Sequence, residues 1–336
     1  MSTTTTGLEY IRCNLCGSND PALLFEVPVR PDQEGQFAQD VWNIVRCRNC
    51  QLVYVNPRPD TIALKEYYTF SNPVDMAFIQ GWFIQNADLN RVTWQRYLRA
   101  IRRFCPSGSL LDVGCGAGSF LITAQEAGFQ VLGQEISDYF VEFCRNKLAL
   151  PVMAGELETL DLAPASFDCV TAFDVIEHHP DPQRLLHTMH WLLKPGGLAV
   201  ISTHDIGNFF ARFYGPRWRH IAPIGHLTYF TRSTLAEMLM NCGFQVVYQG
   251  GMHTIDGHRR AEVRNYLTQF LRVVLLRALV LGIYKPISAR LPAMTRWQVR
   301  WQYGLLNHEK LLLRAGEQIV MNDDMVLLAR ALPPEA

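Results

Sequence analysis

Between residues 109 and 249 the apolar positions fall into short unbroken runs, separated by longer stretches of helical spacing. Residues 109–113 (SLLDV) form one such run. From Ser119 (SFLITAQEAG) the apolar positions recur at three- and four-residue intervals until Gly128. Apolar runs without polar alternation predict strands buried on both faces, and the longer period predicts helices. The same reading places strands over residues 130–135, 151–154, 167–173, 198–203 and 244–247. It places helices over 137–147, 181–193 and 233–242, with Ser137 as a side-chain cap. Strands alternating with helices in this way predict a doubly wound α/β core with a mainly parallel sheet. Upstream, residues 85–104 predict a helix that the Pro106-Ser-Gly108 turn delivers into the first core strand. The first 60 residues differ, with strand-like pieces (LLFEV, WNIVR, LVYV) and too few apolar residues to build a core unaided.

The transition at residues 109–120 (SLLDVGCGAGSF) carries the most chemistry. Gly114, Gly116 and Gly118 strip side chains from the turn between strand and helix, so a backbone can approach a nucleoside-bearing ligand closely. A dinucleotide fingerprint is G-x-G-x-x-G; here the spacing is G-x-G-x-G, and Ser119 occupies the last position. Asp112 would repel a pyrophosphate but suits an ammonium and a sulfonium, which favours S-adenosylmethionine over NAD. Glu135 closes the next strand and can accept both ribose hydroxyls, at roughly 1.5–3 kcal/mol per charged hydrogen bond. A ribose in either cofactor would use it.

Composition changes the picture in three places. Nine cysteines is an odd number, and four of them form the pairs Cys13/Cys16 and Cys47/Cys50. Two C-x-x-C knuckles can supply a tetrahedron of thiolates, which suits structural zinc in a reducing compartment and leaves no open position for catalysis. The first residues (MSTTTTGLEY) lack the basic and apolar regions of a signal peptide, so the expectation is a cytoplasmic protein. Finally, net charge is zero overall, but residues 259–314 hold eleven Lys/Arg against two acids, leaving +9 there and −9 elsewhere. Aromatic residues, including Trp297 and Trp301, are interleaved, and the longest apolar run is too short to cross a bilayer. Such a segment suits peripheral attachment to the inner membrane face or the grip of an anionic, lipid-linked substrate; a helical cap or dimer face is the plainer reading, and nucleic acid is disfavoured. Oligomeric state stays open.

With these residues in view, the sequence resembles the class I SAM-dependent methyltransferases. It resembles most the bacterial subgroup with an N-terminal zinc-ribbon module and a UbiG-like (methyltransferase type 23) core. The resemblance rests on the 109–120 turn, Glu135, the Asp174-Val-Ile-Glu177-His178-His179-Pro180 segment, the Lys194-Pro-Gly-Gly197 turn and His226-Leu-Thr-Tyr229-Phe. It implies a seven-strand Rossmann-like methyltransferase sheet whose last, antiparallel strand waits until residues 324–330, behind a helical insertion. The expected organisation is a disordered tail (1–9), a zinc-ribbon-like module (10–60), a helical linker (61–107), the SAM-binding core (108–250), the basic insertion (251–322) and the last strand with its tail (323–336).

The resemblance also implies site roles. Glu156 and Leu157 would meet the adenine, and Asp174 the methionine end of the cofactor. His226 is the candidate base, with Asp174, Glu177, His178 and Tyr229 beside it at the carboxyl ends of the strands. Sugar C-methyltransferases carry a related Y-x-E-H-L-x-Y-F pattern. Pro223 and Gly225 stand where its Tyr and Glu would be, which favours oxygen over carbon as the acceptor atom. Asp174-x-x-Glu177-His178 with a distal His226 is also similar to the E-x-x-E-H set that holds a divalent cation in small-RNA 2′-O-methyltransferases. If a helical turn began at Asp174, the three residues would share a face. A catalytic divalent metal is therefore an alternative to the metal-free site. The expected reaction is O-methylation of a small-molecule or lipid-linked acceptor, a saccharide or a quinone-like phenol. Sugar C- or N-methylation, RNA 2′-O-methylation and a non-catalytic SAM-binding scaffold are the alternatives.

Overall fold

The computed structural model describes residues 7–29, 39–68, 87–251 and 324–333. The basic insertion expected over 251–322 lies outside the described residues apart from Gly251, as do residues 1–6 of the expected tail.

Five short strands open the chain: β1 (Leu8–Glu9), β2 (Pro21–Pro28), β3 (Val41–Cys47), β4 (Val53–Val55) and β5 (Arg58–Pro59). Strands β2, β3 and β4 form an antiparallel meander. β1 pairs with β5, where Arg58 Nε donates to Glu9 Oε1 at 2.8 Å. The tail expected through residue 9 therefore ends in a strand. A two-residue strand whose partner lies fifty positions away leaves no periodicity to read.

The core contains β6 (Ser109–Val113), β7 (Gln130–Glu135), β8 (Val152–Ala154), β9 (Phe167–Phe173), β10 (Leu193–His204), β12 (Phe244–Gly250) and β13 (Asp324–Ala331). Their order in the sheet is β12-β13-β10-β9-β6-β7-β8. Neighbours from β10 to β8 run parallel, while β13 runs antiparallel to both β10 and β12. Leu110, Leu111, Val170, Ala172 and Val200 are fully buried. One face packs on Leu185, Leu186 and Met189 of helix Pro182–Leu192 and on Leu235 and Met238 of helix Arg232–Asn241. The other packs on Leu98 and Ile101 of helix Ala87–Ile101, Leu121 of helix Ser119–Glu126 and Val141 of helix Asp138–Leu148. Helices on both faces explain why these strands read as continuous apolar runs.

Two boundaries differ from expectation. The fifth strand begins at Leu193 rather than 198, because the Lys194–Gly197 turn is a bulge within it. Lys194 Nζ anchors that bulge on Asp168 Oδ2 at 2.8 Å, the same oxygen that accepts from Ser109 N and Oγ. Ser137 does stand at a helix start, but its side chain makes no cap bond; its backbone N–H donates to Glu135 instead.

One strand belongs to neither layer by sequence. β11 (Thr228–Tyr229) follows the fifth core strand, yet it pairs antiparallel with β4 and completes the four-stranded sheet β11-β4-β3-β2. The N-terminal module is thus strapped to the carboxyl edge of the core. Arg58 Nη1 and Asn14 Nδ2 both donate to Pro180 O, at 2.6 and 3.1 Å, and Gln183 Nε2 donates to Leu15 O at 3.0 Å.

Candidate active site

The glycine turn is built by backbone geometry that side chains disfavour. Gly114 and Gly118 have φ of +65° and +74°, and a Cβ at either would lie 2.6 Å from Val175 Cγ2 or Leu150 Cδ1. Glu135 reaches under this turn. Its Oε2 accepts from Gly116 N at 2.8 Å, and its Oε1 accepts from Ile136 N and Ser137 N at 2.8 and 2.9 Å. Burial outweighs these three bonds and holds its pKa above the ordinary carboxylate range. Gln134, which the sequence did not single out, ties the turn to the next one: Gly114 N donates to its Oε1 and its Nε2 donates to Gly155 O.

Asp112 differs from expectation in its surroundings. It lies beneath the turn, buried, with Thr171 Oγ1 donating to its Oδ1 at 2.6 Å. Burial, helped by nearby Glu135, pushes its pKa up to about 7 despite the Thr171 bond. At neutral pH much of it is therefore a neutral acid, a weaker partner for an ammonium than a carboxylate at an open strand end. Leu157 is buried in the core, whereas Glu156 is exposed at the start of the short 3-10 turn Leu157–Thr159.

Beside the turn stands an aromatic wall. Phe173 meets Trp94, Tyr97 and Phe120 with ring centroids 5.1, 4.9 and 4.8 Å apart. Tyr97 and Phe120 are buried, so these rings pack the core behind the turn. The helix bearing Trp94 and Tyr97 read only as a helix, since nothing local shows where its aromatic residues point.

At the carboxyl ends of β9 and β10 lies a cluster of acids and imidazoles. Asp174 sits at φ +54°, a conformation Asp tolerates better than most residues, and accepts from Ser202 Oγ at 2.9 Å. That left-handed residue breaks the expected helical turn: the tight turn closes from His178 N to Val175 O, and Asp174 does not share a face with Glu177 and His178. Glu177 is 2% exposed; the Thr203 side chain is within hydrogen-bonding reach of its carboxyl, and His204 Nε2 lies 3.6 Å from its Oε1. Burial, with Asp174 nearby, pushes its pKa up to about 8. Its backbone carbonyl accepts from Leu227 N and Thr228 N, which fixes His226 beside it.

His226 Nδ1 donates to His220 O at 2.7 Å, leaving Nε2 as the lone-pair nitrogen. Burial and the neighbouring His178 and His204 hold its pKa well below the ordinary imidazole value. His178 Nδ1 lies 2.9 Å from Gly225 O, and burial lowers its pKa to about 4. The two rings meet edge to face at 4.7 Å. Tyr229 packs its ring in the core of the N-terminal module with Ile44, Val53 and Trp218, and burial raises its pKa.

His204 and Asp324 are members of this cluster that the sequence did not reveal. His204 Nδ1 lies 2.7 Å from Asp324 Oδ1, and its Nε2 3.6 Å from Glu177 Oε1. Burial opposes charging His204, but the Asp324 bond and the neighbouring Asp174 and Glu177 prevail and raise its pKa to about 9. The two residues are direct cross-strand partners in the β10–β13 register.

In the N-terminal module, Cys13 Sγ lies 3.4 Å from Cys50 Sγ, and Cys16 Sγ 3.6 Å from Cys47 Sγ. A tetrahedral zinc with bonds of about 2.3 Å spaces its sulfurs by about 3.8 Å, so the four thiols suit that ion with small adjustment.

A seven-strand sheet with one reversed strand, and a glycine turn over a buried acid, define a nucleoside-binding α/β domain. Residues 87–249 match the family described as "Methyltransferase domain". The chain carries a class I SAM-dependent methyltransferase domain. It is 33% identical over 110 residues to a ubiquinone biosynthesis O-methyltransferase of Coxiella burnetii, covering 31% of this chain and 47% of that one. It is 36% identical over 100 residues to the Idiomarina loihiensis protein of the same name, covering 28% and 41%. The chain thus spans less than half the length of these relatives. Among solved structures, a SAM-dependent methyltransferase from Archaeoglobus fulgidus aligns at 19% identity and TM-score 0.47, covering 76% of this chain and 99% of that one. Phosphoethanolamine N-methyltransferase 2 of Haemonchus contortus aligns at 18% and 0.46, covering 94% and 70%.

Proposed function

We propose that the protein transfers the methyl group of S-adenosylmethionine to a hydroxyl of a small-molecule or lipid-linked acceptor, a saccharide or a quinone-like phenol. The observation that carries this reading is a contact. Val175, two residues before Glu177, fills the space a Cβ at Gly114 would take, so the glycine turn and the acid–histidine loop are packed against each other. A nucleoside cradle and a proton-handling cluster then serve one reaction. The relatives named for ubiquinone biosynthesis O-methylation support oxygen and a phenolic acceptor.

The cofactor, when bound, supplies a methyl carbon on a positively charged sulfur. Backbone at Gly114–Gly118 lets the nucleoside approach closely, and Glu135 offers its remaining lone pair to the ribose. Trp94, Tyr97, Phe120 and Phe173 pack together in the core behind the turn and keep water out from that side. Alignment of acceptor oxygen and methyl carbon in such a dry pocket accounts for up to about 7–11 kcal/mol of barrier lowering in good intramolecular models. The acceptor proton leaves at the cluster around His226, which stays neutral with Nε2 as its lone pair; proton removal of this kind contributes about 10²–10⁴-fold. Four thiolates from Cys13, Cys16, Cys47 and Cys50 would hold a structural zinc, and the basic segment 259–314 would bring the protein to an anionic membrane surface on the cytoplasmic side.

The test is a lysate incubated with methyl-labelled cofactor and read by mass spectrometry. The expected product is one labelled hydroxyl compound, absent with His226→Ala. Calorimetry with S-adenosylhomocysteine separates an enzyme from a scaffold; no heat of binding would end the reading.

A further inference from the structure

We infer that Cys115 and Cys144 form a redox switch on cofactor binding: as two thiols they leave the glycine turn open to a nucleoside, and as a disulfide they distort it. Cys115 lies within that turn, and Cys144 belongs to helix Asp138–Leu148. Neither thiol takes part in methyl transfer. The switch acts on the cofactor turn alone and is independent of which acceptor is methylated.

Three observations carry it. First, the two thiols meet at one atom. Gly116 O lies 3.9 Å from Cys115 Sγ and 3.3 Å from Cys144 Sγ, and the thiols also hydrogen-bond to each other. Glycines leave the room for both: a Cβ at Gly118 would stand 3.0 Å from Cys144 Sγ, and one at Gly133 2.8 Å from Cys115 Sγ. Second, this contact divides their chemistry. Cys115 donates its S–H and is held above the ordinary thiol range, while Cys144 accepts and is held below it. Thiolates are the reactive form, and Cys144 is the one favoured here. Burial instead raises Cys105, Cys169 and Cys242 and keeps them protonated. Third, the pair has a way in. Cys144 is fully buried and Cys115 is 9% exposed, but Gly116 is half-buried, with nothing within 4 Å of where its Cβ would be.

The oxidant is a peroxide, which is little larger than water. The Cys144 thiolate attacks one peroxide oxygen, the O–O bond breaks, and hydroxide leaves and is protonated to water, giving a sulfenic acid. Cys115 sulfur then attacks the sulfenic sulfur, loses its proton and expels a second water. Two thiols and one hydrogen peroxide thus become one disulfide and two waters. A disulfide holds its sulfurs about 2.05 Å apart, so closure draws Cys115 toward the helix. Both S–H groups are then lost to Gly116 O, and Gly116 N, which holds Glu135 Oε2 at 2.8 Å, shifts with the turn.

The experiment uses the full chain, purified with zinc present. Calorimetry with S-adenosylhomocysteine compares reduced protein, protein treated with hydrogen peroxide, and treated protein after re-reduction with a phosphine. Differential alkylation in denaturant, read by mass spectrometry, maps which cysteines are paired. The expected result is a Cys115–Cys144 bond, binding weakened at least tenfold, and recovery on re-reduction. S-adenosylhomocysteine bound beforehand should slow formation of the bond, because it covers the turn. Reduced Cys144→Ala should bind within threefold of wild type and keep that affinity after peroxide. Circular dichroism checks its fold, and Cys115→Ala repeats the peroxide test should it fail to fold. No bond between these two cysteines, a bond that leaves binding unchanged, or an equal loss of affinity in peroxide-treated Cys144→Ala overturns the switch and leaves the methyltransferase reading intact. Failure of reduced wild type to bind S-adenosylhomocysteine would overturn both.

Discussion

Glu135 has about four lone-pair positions, and three of them already hold backbone amides. One position on Oε2 is left, so for a ribose diol held here the two charged bonds expected from sequence would reduce to one good bond and one shared. Glu135→Gln keeps the shape but loses the charge and should weaken S-adenosylhomocysteine binding by about 10–100-fold, as read by calorimetry. Gly118→Ala tests the turn itself. A methyl there meets Leu150 at 2.6 Å on a backbone with φ +74°, so urea denaturation should show a loss of about 1–3 kcal/mol. Asp112 gives a pH signature. Its folded pKa, about 7, lies above its ordinary value of 3.8, so its favourable contribution is complete below that value and is lost as pH rises through 7. Measured stability of the wild type should fall between pH 4 and 7 relative to Asp112→Asn, which cannot titrate. The glycines and Glu135 were legible because their chemistry is local in sequence. His204 and Asp324 were not, because 120 residues separate them and only strand register brings them together.

Elements read well where burial is two-sided. β6, β7 and β9 match their apolar runs because helices cover both faces of the sheet, and the pattern carries that fact directly. β11 could not be read this way. Two residues have no period, and the partner strand belongs to another module. That pairing has a testable effect. Val55 N donates to Leu227 O while Leu227 N donates to Glu177 O, so the cysteine-bearing sheet helps hold the Glu177–His226 loop. If the four thiols hold the proposed zinc, Cys47→Ser should lose it by metal analysis and lower the thermal midpoint. It should also raise the KM for the acceptor more than it weakens S-adenosylhomocysteine binding, because the glycine turn lies on the other side of that loop. Arg58→Ala, which removes the bond to Pro180 O, should shift the same KM in the same direction without loss of zinc.

For the whole molecule, charge is the property that sequence shows most plainly. Residues 259–314 carry +9 against −9 in the rest of the chain. If that segment meets a membrane, full-length protein should pellet with anionic vesicles at low salt. A variant with its arginines changed to glutamine should stay in the supernatant, since each basic residue near such a surface contributes about 1 kcal/mol. Equal pelleting would remove the membrane role. The place where this segment joins the core has a further consequence. Gly250 and Val326 are partners across neighbouring strands, so the chain departs from the sheet and rejoins it at adjacent points. Lengthening what lies between them is entropically mild, about 0.6 kcal/mol for each doubling. Related chains could therefore exchange or enlarge the intervening stretch and diverge in what they modify, while the cofactor chemistry stays as it is.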